Sequence, residues 1–107
     1  MKILLDVCTP VQIRNALHGH EVHTAVRVGW GQLENGDLLR EAEAAGFQLL
    51  IICDKNLQHQ QNLSGRRIAI LELWTNHRPT LEQHFGYIRD AAESMKSGEY
   101  RSLKSPQ

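Results

Sequence analysis

Apolar residues fall along the chain in short runs separated by segments of helical spacing. The first run, Ile3-Leu4-Leu5, has strand character and closes on Asp6. Pro10 follows where a helix can open, because its fixed φ and missing N–H are tolerated in a first helical turn. The pattern predicts a helix over 11–17 that Gly19 ends, then a strand over 21–25 in which Val22 and His23 face opposite ways. A glycine-punctuated loop leads to Asn35, a candidate cap for a helix over 36–45 whose Leu38, Leu39 and Ala42 form an apolar stripe and which Gly46 stops. Residues 47–53 are the most apolar run and are expected to form the central strand. The chain turns polar at Asp54, returns to a strand over 66–73, and passes through Pro79 into one long helix carrying Leu81, Phe85, Ile88 and Ala92 on one side. The segment 96–107 shows no periodicity, and its last residues are expected to be mobile.

Strands and helices that alternate in this way, with strands apolar on both faces, predict an α/β fold: a mostly parallel, four-stranded central sheet covered by helices on both sides. Ligands of such sheets bind beyond the carboxyl ends of strands, where neighbouring connections run in opposite directions. Asp6 and Asp54 both follow strand ends, so they converge if the first and third strands are neighbours.

The chain's 107 residues fit one domain, expected over 1–95 and followed by the tail. Net charge is zero, so a nucleic-acid partner would have to be gripped by a local patch rather than by a global field. Two cysteines, Cys8 and Cys53, fit a reducing compartment and two buried, inert thiols better than a disulfide framework. No apolar run approaches the ~20 residues of a membrane span, which leads to the expectation of a cytoplasmic protein with no membrane partner.

Carboxylates brought together in a cleft repel one another unless a cation or a shared proton relieves them. Hard oxygen ligands select magnesium or manganese, ions that assist phosphodiester hydrolysis by activating water and neutralising phosphate charge. Asp37, in the first turn of the second helix, is the third candidate acid beside Asp6 and Asp54, with Glu34 and Glu41 nearby. The competing account is local: an acid there also suits the helix dipole, and strand-end aspartates often cap turns.

Taken in order, "MKILLD" with Pro10, "GHEVHT", "GW", "NGDLLREAEAAGF", "DKNL" with "QQNL", "RRIAIL" and "TN" with Pro79 resemble the small single-domain PIN-like proteins of bacteria, which are related to the VapC-type toxin ribonucleases. The resemblance runs over residues 1–95. It implies a three-layer α/β/α PIN-like sandwich and a magnesium- or manganese-dependent endoribonuclease of the toxin-antitoxin type. Asp6, Asp37 and Asp54 correspond to its acidic, metal-holding and catalytic positions, and Asn56 to a polar residue beside the cleft. RNA as substrate and a small helix-turn-helix antitoxin-like partner are the associations it implies, and a homodimer is a separate expectation.

The chain departs from that pattern at Val7, before Cys8, where an acid is usual, at Ile52, where a hydroxyl is usual, and at Gln58 and His59. These departures support an alternative: a catalytically silent PIN-like module that binds a protein partner or RNA. Trp30 and Trp74 are candidates for base stacking. Arg66 and Arg67, with Arg14, Arg27, Arg40 and Lys55, are candidates for phosphate contacts, against a reading as scattered solvated charge. His18, His20 and His23 have zinc-like spacing, but strand alternation sends His20 and His23 to opposite faces, which favours surface histidines.

Overall fold

The computed structural model describes residues 1–53 and 66–106, with the side chain of Asn35 excepted. Five short strands form one sheet: β1 (Lys2–Leu5), β2 (Glu21–Thr24), β3 (Leu49–Ile52), β4 (Ala69–Glu72) and β5 (Tyr100–Ser102). They lie in the order β2-β1-β3-β4-β5, and every pairing is parallel. The connections reverse direction between β1 and β3, so the first and third strands are neighbours at the topological switch point.

Strand alternation divides the core into two layers. Ile3, Leu5, Leu49, Ile51, Ala69 and Leu71 pack under a 3-10 helix (Val11–Ala16) and helices α2 (Arg78–Glu82) and α3 (Phe85–Ser94). Leu4, Leu50, Ile52 and Ile70 pack under α1 (Asn35–Ala44), which contributes Leu38, Leu39 and Ala42. Helices therefore cover both faces of the sheet, which explains why β3 and β4 are buried at all four positions and read as continuous apolar runs.

Three details differ from the sequence reading. The sheet has five strands rather than four, because Tyr100–Ser102, in the segment that showed no periodicity, pairs with β4 from Ile70 to Glu72. A three-residue edge strand is too short to show alternation. The long helix after Pro79 is two helices: Gln83 and His84 donate to carbonyls three residues back, which tightens the last turn of α2 before α3 restarts. Glu34, in extended conformation and with no side-chain cap bond, takes the N-cap position of α1, so Asn35 is the first helical residue. No helix among the described residues is long and apolar enough to cross a membrane.

Candidate functional site

The carboxyl ends of β1, β3 and β4 lie side by side. Pairing of Leu5 with Ile51 and of Ile52 with Glu72 sets one row beyond the last β1 residue: Asp6, Ile52 and Glu72. Asp6 N–H donates to Ile51 O at 3.1 Å and Leu73 N–H to Ile52 O at 2.8 Å, so this row is still fixed by the sheet ladder. Asp6 and Glu72 therefore flank β3, with backbones separated by two strand spacings, roughly 10 Å. Both carboxylates are buried.

Each acid is held by a hydroxyl. Thr9, which the turn after β1 folds back, lies with Oγ1 2.5 Å from Asp6 Oδ1 and 3.1 Å from Ile51 O. Tyr100, on β5, donates its hydroxyl to Glu72 Oε1 at 2.8 Å. Between the acids, Cys53 turns to the opposite face from Ile52 and packs against the α3 layer. Its sulfur lies 3.7 Å from Thr9 Oγ1 and donates to Thr75 O at 3.4 Å. Burial pushes the Cys53 thiol up to about 11; the Thr9 hydroxyl works against this shift, and the charges of Asp6, Cys8 and Glu72 add to it. Both acids are thus within electrostatic reach of one sulfur.

The sequence-predicted residues separate into groups. Asp6 occupies the expected place. Asp37 sits in the first turn of α1, about half exposed, and forms an ion pair with Arg40 one turn on. Asp54 and Asn56, with Lys55, Gln58, His59, Gln61 and Asn62, lie outside the described residues. Arg66 and Arg67 do not flank the acids: they precede the amino end of β4, a full strand length from Glu72. There Arg67 lines a cavity of about 400 Å³ with Glu43, Phe47 and Lys96, and Glu43 Oε2 accepts the Arg67 and Ile68 N–H groups. Trp30 is half-buried against the α1 layer, edge-on to Phe47 at 5.9 Å, and Trp74 packs on the other layer against His84 and Tyr87. Both indoles thus carry packing contacts.

The histidines do not converge. His20 bonds Glu93 at 2.8 Å, His23 bonds Glu21 at 2.7 Å, and His18 is exposed. These contacts hold the Glu93 and Glu21 carboxyls below the usual range. Cys8 is exposed rather than buried, because the turn after Asp6 points it outward.

Glu72 was missed by sequence reasoning. Its signal was an acid inside the otherwise apolar run "IAILEL", and strand alternation placed it on a face without showing that β5 would supply the Tyr100 hydroxyl.

Among the described residues no three His, Cys, Asp or Glu side chains are gathered closely enough to hold a metal ion. Fold and edge together define an open, parallel α/β protein with one buried acid, Asp6, at its switch point and a second, Glu72, at the end of β4. Compared with models of known protein families, with curated proteins and with solved structures, the chain matches none of them.

Proposed function

We propose that this chain is a PIN-like endoribonuclease that hydrolyses RNA phosphodiesters with magnesium or manganese, acting as the toxin of a toxin-antitoxin pair whose partner is a small helix-turn-helix protein. The observation that carries the reading is the pair of buried carboxylates, Asp6 and Glu72, on the two strands that flank the exit of β3. Burying a carboxylate is costly unless donors or cations compensate it, and two at one sheet edge concentrate that cost where α/β sheets keep their ligands. We add Asp54, which follows Cys53 in the sequence and lies outside the described residues, as the further acid that the resemblance implies. A hard divalent cation supplies Lewis acidity and an activated water at such an edge. Thr9 orients the Asp6 carboxylate through its hydroxyl. We assign the third acid to Glu72 in preference to Asp37, whose charge Arg40 already offsets.

The second reading, a silent module that docks a protein partner, draws on a different observation. Val7, Val11 and Val26 are exposed beside the same edge, with Val7 at 55% and Val26 at 68%. Exposed valines around a polar site are suited to a partner surface.

Cleavage of a mixed-sequence single-stranded RNA in manganese separates the two. Under the nuclease reading the protein cuts, chelation stops it, and Asp6→Asn and Asp54→Asn abolish cutting while keeping the circular dichroism of the parent. No cutting by the parent protein, or equal cutting by the variants, rejects the nuclease in favour of the module.

A further inference from the structure

The crossover from β1 to β2 leaves a cleft of about 390 Å³ between the 3-10 helix and the outer edge of the sheet, lined by Val11, Arg14, Val22, His23, Thr24 and Arg27. Its ionisable groups are all potential cations. The acid on the same strand, Glu21, accepts a hydrogen bond from His23 Nε2 at 2.7 Å. Arg14 and Arg27, like Arg66 and Arg67 at the opposite edge of the sheet, make no ion pair with a carboxylate among the described residues, whereas Arg40, Arg78, Arg89 and Arg101 each make one. In a chain of zero net charge, two uncompensated guanidinium groups at one cleft are a local positive field that composition conceals.

The cleft also adjoins the acidic edge. Thr24 pairs with Leu5, the residue before Asp6, and Ala25 N–H donates to Leu5 O at 2.8 Å. The Thr24 hydroxyl accepts the Arg27 N–H at 3.2 Å, which folds the chain after β2 back over the strand end and sets the start of Arg27 there. A strand of nucleic acid with one phosphate at Asp6 therefore has a neighbouring phosphate within reach of the cleft, one sheet strand away, about 5 Å.

We infer that this cleft binds the phosphate backbone of single-stranded RNA, with Arg14 and Arg27 as the phosphate-holding pair that lays the substrate across the Asp6 edge. Guanidinium groups match phosphate oxygens in fork geometry, so the pair supplies positioning without sequence preference. The substrate assignment rests on the nuclease reading, but the cleft is testable apart from catalysis.

Binding of a fluorescent single-stranded RNA is measured in chelator, where no metal-dependent cutting occurs, across a salt series. Four full-length proteins are compared: the parent, Arg14→Gln with Arg27→Gln, Arg14→Lys with Arg27→Lys, and a charge-matched control, Arg40→Gln with Arg78→Gln. The glutamine pair is expected to weaken binding by at least about tenfold. It should also flatten the slope of log affinity against log salt by about 1.4, the share of two phosphate contacts on a single strand. The lysine pair should recover part of the affinity and most of the slope, and the control should bind like the parent. Unchanged affinity and slope in the glutamine pair, an equal loss in the control, or no RNA binding by the parent would each overturn the cleft assignment. Loss of binding in the glutamine pair, combined with no cutting by the parent in manganese, would leave the cleft standing and reject only the nuclease.

Discussion

Thr9 Oγ1 lies 2.5 Å from Asp6 Oδ1 and 3.7 Å from Cys53 Sγ, so one buried hydroxyl joins the turn after β1 to the exits of β1 and β3. Its proton has three acceptors in reach, Asp6 Oδ1, Ile51 O and Cys53 Sγ. Removing it takes one donor from a buried carboxyl group.

Thr9→Val keeps the shape of the side chain and deletes that donor. It is expected to lower stability by about 1–3 kcal/mol, because a hydrogen bond to a buried carboxyl group is lost. Urea unfolding should show a lower midpoint at an unchanged slope, and Thr9→Ser should recover most of the loss. A midpoint equal to the parent's would show that the hydroxyl is dispensable to the turn.

The two thiols should differ in reactivity. With Cys53 pushed up to about 11 and partly covered, only ~0.1% of it is thiolate at pH 8. Exposed Cys8 should therefore react first with iodoacetamide, which peptide mass spectrometry resolves. The same shift fixes a sign. The folded thiol ionises at a higher pH than the unfolded thiol, whose ordinary value is 9.0, so the unfolded chain loses its proton first. This contribution to stability is intact below about pH 9 and is lost between about 9 and 11. Cys53→Ala should lessen the fall in melting temperature across that window, and an identical fall in both proteins would contradict the assignment.

Gly98 enters β5 with φ at +77°, and a Cβ there would lie 2.7 Å from Arg66 O. Left-handed backbone costs an ordinary residue roughly 1–2 kcal/mol, and the overlap with a backbone carbonyl adds to it. Gly98→Ala should loosen β5 before the rest of the sheet. Hydrogen exchange would show this as lost protection of the Ile70 and Leu103 amides, which donate to Glu99 O and Glu72 O across the β4–β5 pair. Faster exchange throughout the core instead would mean that β5 does not open separately.

Glu72 and Asp37 make opposite predictions as third acid. Glu72→Gln should abolish RNA cutting, while Asp37→Asn should leave the rate within about fivefold, the scale of an exposed ion pair worth ~1 kcal/mol. Cutting assays on both variants, with folding checked by circular dichroism, decide between them. The reverse result would return the role to the helix.

Much of this architecture was legible because it depends on local pattern. β1, β3 and β4 are each built on a contiguous run of three or more apolar residues, as strands covered on both faces require. Asp6 was legible for the same reason, as the first polar residue after such a run. β5 was not, because Tyr100-Arg101-Ser102 is a strand only through the ladder that β4 offers it.

By itself the sequence determined the alternation of strands and helices, the parallel sheet and the acid at the end of β1, all of which follow from hydrophobic spacing and the reach of short connections. The tertiary structure alone decided which charges meet. It set Glu72 level with Asp6 by strand register, sent Arg66 and Arg67 to the far edge, and brought Arg14 and Arg27 to one cleft through the β1–β2 crossover. Side-chain charge leaves no period in a sequence, so its juxtapositions appear only once the strands have chosen their neighbours.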